Sequence, residues 1–365
     1  MELTETPCNA SWSGVTRRLA FAAAAGFATA AIGIIGGCRS EPVEKRPDSE
    51  QRYEAARRLM GVSWTITAYA ESKERAEAAV GAAFDEVARL ERILSDYDPE
   101  SELSRLSARS PVTATVGDDL WKVLERANWF RDASGGAFDP TVGPLTTLWR
   151  QARRAGRLPD PDKLAAARLA VGPSTLQCDA TGRSVELRRP GMRLDLGGIG
   201  MGHAVDAAMD VLDRHGIRSA MIDASGDIAV SSPPPGKTGW RIAVEPLQGG
   251  MGDGGAIEIV DAAITTSGDA YQAVEIDGVR YSHIVDPRTG VGVVGPSAVS
   301  VIAADCTTSD AAATAASVLG PEAGGRFIEG LPGAAARFQW VERGEIRTRL
   351  TSRWPGQSPR NARSP

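Results

Sequence analysis

A chain of 365 residues is longer than one average domain, and an apolar fraction of 42% is enough to bury a sizeable core. Its net charge of −5, with no basic stripe interleaved with aromatics before the extreme C-terminus, excludes a nucleic-acid surface. No internal repeat or long low-complexity linker divides it, so one large domain or two fused lobes is expected.

Residues 1–38 read as an export segment. Thr16-Arg17-Arg18 precedes an uncharged Ala- and Gly-rich run from Leu19 to Ile35, which Gly36-Gly37-Cys38 closes. Small residues ahead of a cysteine resemble a bacterial lipobox, in which the Cys38 thiol is acylated and becomes the lipid anchor. The paired arginines also fit a twin-arginine signal. An uncleaved anchor is the alternative, because the apolar run approaches the ~20 residues that span a bilayer. Either way the remainder is expected outside the cytoplasm, as a membrane-anchored lipoprotein facing the periplasm or the cell exterior. Cys8 leaves with the segment, so Cys178 and Cys306 remain, and their spacing leaves a disulfide open.

Residues 39–57 are charged and poor in large apolar groups, which predicts a flexible tether ahead of a domain over 58–350 and a disordered basic tail over 351–365. Val62, Trp64, Ile66 and Ala68 alternate with polar residues as a half-buried strand would. Helical spacing follows over Lys73 to Leu94, and again over Asp118 to Asp132. Between them, Leu94 to Pro99 is a loop carrying Tyr97. Gly135 to Leu145, with Phe138 and Asp139, is too irregular for either element. Either loop could wall a flat ring system or simply pack.

From 150 to 190 the chain is Arg- and Pro-rich, with a short strand at Ser184–Leu187. Met192, Leu194 and Leu196 share a strand face that leaves Asp195 on the other. A Gly-rich turn, Gly197 to Gly202, then opens a helix that His215-Gly216 closes. Ser219 to Val230 reads as one strand, and Pro233-Pro234-Pro235 as a loop. Strands are expected around Trp240–Val244, Ala256–Ile259, Gln272–Ile276 and Ala298–Ala303. Thr308 or Ser309 caps a last helix, which Gly320-Pro321 ends. Strands and helices mix without strict βαβ alternation, so the expected class is α+β, with mixed sheets and packed helices.

Chemistry concentrates in a few places. His283 lies in Tyr281-Ser282-His283-Ile284-Val285-Asp286-Pro287, beside a turn, where a general base could sit. Asp310 and Thr314 are four apart, so on a helix both oxygens leave one face, as a small hard cation requires. The Gly-rich turn fails the dinucleotide pattern, because His203 and Val205 stand where a third glycine would be. It could still bring backbone N–H groups close to phosphates, or be a purely structural turn. Gly236-Lys237-Thr238 is not a P-loop, since Ser231 replaces the required glycine and three prolines remove donors. His203 and His215 read as structural.

Met60-Gly61, Ser95-Asp96-Tyr97-Asp98-Pro99, Ser101 to Leu106, Gly136-Ala137-Phe138-Asp139-Pro140-Thr141, Asp195-Leu196-Gly197-Gly198-Ile199, Thr266-Ser267-Gly268-Asp269, Ser282 to Pro287 and Asp310 to Thr314 together resemble the FAD:protein FMN transferases, the ApbE-type flavin transferases. The resemblance runs from about residue 59 to 345 and implies a two-lobed catalytic domain. It also implies that Met60, Tyr97, Ala137, Phe138, Asp139, Asp195 and the backbone at Ile284 contact FAD. Met201 falls at a ligand-facing position where the family often has Lys, so a charge is missing there. By the same resemblance the Asp310 carboxylate, the Thr314 hydroxyl and the Gly198 carbonyl hold Mg²⁺. His283 would then deprotonate a Ser or Thr hydroxyl of an acceptor protein, FMN would be transferred and AMP released. Subunits of membrane redox complexes are the acceptors this implies. Two rivals are FAD hydrolysis to FMN and AMP, and flavin binding without chemistry. Met201 favours the rivals, whereas His283, Asp310 and Thr314 favour transfer.

Overall fold

The computed structural model describes residues 50–244, 247, 255–268 and 273–356. Strands β1 (Gln51–Leu59) and β2 (Val62–Ala70) form a hairpin closed by Met60-Gly61, both at positive φ (49° and 79°), as a two-residue primed turn requires. The expected tether therefore ends earlier than residue 57. Strand β1 escapes the hydrophobic pattern because it is a sheet edge, with Arg52, Glu54, Arg57 and Arg58 exposed. The export segment, including Cys38, lies outside the described residues.

Helix α1 (Lys73–Leu94) has the boundaries expected of it: Ser72 caps it by accepting from the Arg75 N–H, and Ala76, Val80, Phe84, Val87 and Leu94 form its buried stripe. Then come α2 (Glu102–Ala108), β3 (Val112–Thr115), α3 (Asp118–Ala133), α4 (Gly143–Ala155), α5 (Pro161–Arg168), β4 (Leu176–Asp179) and β5 (Ser184–Leu187). Helix α4 corrects the sequence reading. The irregular loop stops at Val142, Pro144 enters the first helical turn where its missing N–H is harmless, and Gly156 in the left-handed region (φ 62°) closes the helix. Residues 191–196 are not a strand. Their alternation is real, since Met192, Leu194 and Leu196 are buried, but the Asp195 N–H bonds Pro140 O (2.9 Å) in a loop-to-loop contact.

Helix α6 (Gly200–Arg214) precedes β6 (Ser219–Ala224) and β7 (Asp227–Val230), which Ser225-Gly226 separates where one strand was expected. The chain continues through β8 (Trp240–Val244), β9 (Gly255–Ile259), β10 (Ala262–Gly268), β11 (Ala273–Ile276), β12 (Val279–Val285), β13 (Gly292–Val294), β14 (Ser297–Ala303), α7 (Cys306–Gly330), β15 (Ala335–Glu342) and β16 (Glu345–Leu350). Helix α7 is capped by Asp305, which accepts from the Thr308 N–H, and not by Thr308 or Ser309. Gly320 (φ 74°, ψ 177°) kinks it and a further segment runs on to Gly330, so Gly320-Pro321 breaks the helix without ending it. The expected tail also starts later than 351: Thr351 and Trp354 are buried, and Arg353 donates to the carbonyls of Leu331 and Ala334 beyond α7.

An eight-stranded sheet runs β1-β2-β6-β7-β10-β14-β15-β16, and every pairing among the described strands is antiparallel. Helices and antiparallel sheets without βαβ units make the α+β class. Helices α1, α3, α6 and α7 share the main core with one side of the sheet, around Trp64, Phe84, Leu124, Val205 and Phe338. Strands β8 and β9 build a second core with Ile264, Ile302 and Trp354. A third, smaller core joins α4 to the three-stranded sheet β11-β12-β13 through Leu145, Trp149, Ile276 and Val285.

Candidate active site

The acid-bearing side of the site is built where α6 crosses α7. The Gly202 N–H donates to Asp310 Oδ2 (3.1 Å), and a Cβ on Gly202 would lie 2.4 Å from Cys306 O, so only glycine permits this crossing. The Gly-rich turn approaches the next turn of α7 just as closely: a Cβ on Gly198 would lie 2.8 Å from Thr314 Oγ1. Asp206 on α6 fixes the register, accepting from the N–H groups of Cys306 (2.7 Å) and Thr307 (2.8 Å) at the start of α7. Gly198, Asp310 and Thr314 are thereby brought together. Gly202→Ala is expected to cost about 1–3 kcal/mol through overpacking, seen as a lower denaturation midpoint with an unchanged m-value.

Electrostatics single out Asp310. Burial, followed by Asp227, holds its carboxyl well above the usual carboxylate range, and Asp206 adds to the effect. Burial also pushes Asp206 up to about 6, and burial with Asp223 pushes Asp227 up to about 6. A carboxyl buried among acids is a place where a cation would relieve a standing cost.

The other candidate residues come from three loops and α4. Asp195 accepts from the Gly197 N–H (2.9 Å), from Thr146 Oγ1 (2.7 Å) and from Arg150 Nη2 (3.2 Å). Arg150 Nη1 also donates to Asp96 Oδ2 (2.6 Å), and its guanidinium lies 4.3 Å from the centre of the Tyr97 ring. That ring is 74% exposed, so it is free to lie against a flat ligand. Phe138 is not: its ring is buried in the main core beside Phe130 (6.1 Å), and Ala137 is buried too. Asp139 is buried and accepts from the Thr141 N–H (2.8 Å) and hydroxyl (2.6 Å), and burial raises its carboxyl.

His283 stands on β12, half-buried, with its Nδ1 inside the protein. This strand and the turn after it are each pinned to a helix. Trp149 Nε1 of α4 donates to Ser282 O (3.0 Å), and Arg288 Nη2 donates to Val318 O (3.1 Å), one turn beyond Thr314 on α7. The Ile284 N–H is taken by Ser282 Oγ (3.1 Å). Met60 lies at the sheet end where Ser225 Oγ donates to Ser63 O (3.0 Å) and Asp227 pairs with Thr265, whose hydroxyl meets Ser309 Oγ on α7 (2.9 Å). Met201 packs against the main core. His203 faces Asp119 and Lys122, and burial lowers its pKa, so it belongs to the α1–α3 side. Asp269 lies outside the described residues. Cys178 and Cys306 are free thiols.

A family model described as the ApbE family matches residues 60–338. The chain belongs to the ApbE family. Among its ApbE relatives, the FAD:protein FMN transferase of Treponema pallidum (strain Nichols) is 32% identical over 312 residues, covering 79% of this chain and 84% of that one. The FAD:protein FMN transferase of Vibrio cholerae is 35% identical over 236 residues, covering 63% and 70%. The apo structure of the Pseudomonas stutzeri flavinyl transferase ApbE superposes with a TM-score of 0.74 at 28% identity, over 83% of this chain and 96% of that one.

Within this ApbE chain, the residues that pattern reading missed are the ones that join elements. Asp206, Asp227, Thr146 and Arg150 occur in no periodicity or spacing that marks them. Each is visible only once folding brings its partner near.

Proposed function

We propose that this chain is an enzyme that transfers FMN from FAD to a Ser or Thr hydroxyl of an acceptor protein, releasing AMP. One observation carries the reading: Asp310 and Thr314 lie against the Gly198–Gly202 backbone, while Arg288 ties the turn after the His283 strand to that same helix. The names of the relatives support it.

The donor set fits Mg²⁺, which takes few protein oxygens and keeps positions for substrate phosphate. Asp310, Thr314 and the Gly198 carbonyl would hold it. Among the described residues no three His, Cys, Asp or Glu side chains gather for a metal, so a softer or fully caged ion has no comparable site. When bound, Mg²⁺ supplies charge neutralisation at the pyrophosphate oxygens. The protein supplies the remainder. Tyr97 and the loop at Asp195 position the flavin end of FAD. His283 would take the acceptor hydroxyl proton. The acceptor oxygen bonds to the FMN-side phosphorus, the bond from that phosphorus to the bridging oxygen breaks, and AMP leaves with that oxygen. A test is stoichiometry: transfer gives one AMP per protein-bound FMN and no free FMN, whereas equal amounts of AMP and free FMN would make the chain a FAD pyrophosphatase.

The lipobox-like segment supports an exported protein anchored through Cys38, with acceptors among membrane redox-complex subunits. Cys38→Ser is expected to abolish labelled fatty-acid incorporation and leave FMN transfer intact. Absence of label in the unmutated protein would overturn the lipid anchor.

A further inference from the structure

Arg150 stands at the meeting point of three segments far apart in sequence. Its guanidinium reaches Asp96 on the loop after α1 and Asp195 on the loop before α6, and it lies under the Tyr97 ring. Both carboxylates are buried, with side chains 7% and 8% exposed, while Arg150 keeps 25%. Burial and the charge of Asp195 both raise the Asp96 carboxyl, so the two loops would repel each other without a shared cation. A planar fork can satisfy two carboxylates and still present a face to an aromatic ring, which a lysine cannot. Arg193 also binds the Asp96 loop, but through the backbone carbonyl.

The neighbouring residue gives the cluster its consequence. Trp149, one position earlier on α4, donates to the carbonyl of Ser282, the residue before His283. Two consecutive residues of one helix therefore tie the exposed aromatic platform to the strand that carries the base. We infer that Arg150 is a positioning residue, which sets Tyr97 and Asp195 at a fixed place relative to His283 and so governs how the flavin end of FAD is held. The inference rests on the flavin-transfer reading. Its action on the ligand runs through Tyr97 and Asp195.

The test uses the full-length protein and FAD as the probe, comparing Arg150→Met, Arg150→Lys, Tyr97→Leu and the Arg150→Met/Tyr97→Leu double variant. FAD affinity from flavin-fluorescence quenching, the thermal midpoint and the KM and kcat for AMP release are read on each. Arg150→Met is expected to weaken FAD binding at least ~10-fold, the scale of one lost charge-assisted hydrogen bond, with Arg150→Lys recovering part of it. Because Arg150 acts through Tyr97, the double variant should bind FAD more tightly than the product of the two single losses predicts. A lowered midpoint with unchanged FAD affinity and KM would reduce Arg150 to a structural ion pair, and strictly multiplicative losses in the double variant would overturn its action through Tyr97. Should Arg150→Met fail to fold, Asp96→Asn removes one leg of the same clamp and is expected to weaken FAD binding in the same direction; unchanged affinity there overturns the inference. Failure of the unmutated protein to bind FAD overturns the flavin reading itself, and the inference with it.

Discussion

His283→Ala is expected to lower FMN transfer by ~10²–10⁴-fold while FAD affinity stays near that of the unmutated protein. A general base acts on the proton that moves in the transition state, so its loss appears in kcat far more than in ground-state binding. The turn after β12 has its own supports. Asp286 receives the Arg288 side chain (2.8 Å), its N–H donates to Val291 O (2.9 Å), and its carbonyl accepts from the Gly290 N–H (2.8 Å). Measuring FAD affinity, Tm and transfer on one preparation separates the roles. Normal transfer with a lowered Tm would remove His283 from the mechanism and assign it to the fold.

Asp310→Asn is expected to be at least as damaging to transfer, by ~10²-fold or more, and yet to leave the metal-free fold as stable as before or more so. The asparagine oxygen can still accept from the Gly202 N–H, while the carboxyl that burial and Asp227 disfavour as an anion is gone. Asp310→Ala also deletes the acceptor and should lose stability as well as activity; Thr314→Val should weaken transfer less. Binding is read independently of turnover. Mg²⁺ at ~100 times its Kd should raise the stability of the unmutated protein by about 2.7 kcal/mol, and that of Asp310→Asn by far less. Equal stabilisation of both proteins would place the ion elsewhere.

How far the sequence reveals this molecule depends on whether a feature is local. Helix α1 was legible to its ends because Val80, Phe84, Val87 and Leu94 repeat at helical spacing. That Asp310 and Thr314 share one side of a helix is legible because four residues is about one helical turn. Helix α4 was not: Gly143, Pro144 and a run of arginines hide the stripe of Leu145, Trp149 and Ala152. Strand β1 was read as a tether because a charged edge strand has no buried face to betray it. The clamp at Arg150 had no signal at all, since its partners lie 54 and 45 residues away. Of the two aromatics that the resemblance implies at the ligand, the Phe138 ring lies in the core beside Phe130 and Tyr97 is exposed.

The central claim is transfer of FMN to a protein hydroxyl, and the most direct measurement is peptide mapping by mass spectrometry of an exported membrane redox subunit co-expressed with this chain. Transfer predicts an FMN phosphoester on one Ser or Thr of that subunit with the unmutated enzyme, and its absence with His283→Ala. An acceptor that stays unmodified against a panel of such subunits, while FAD is consumed to free FMN and AMP, would contradict it.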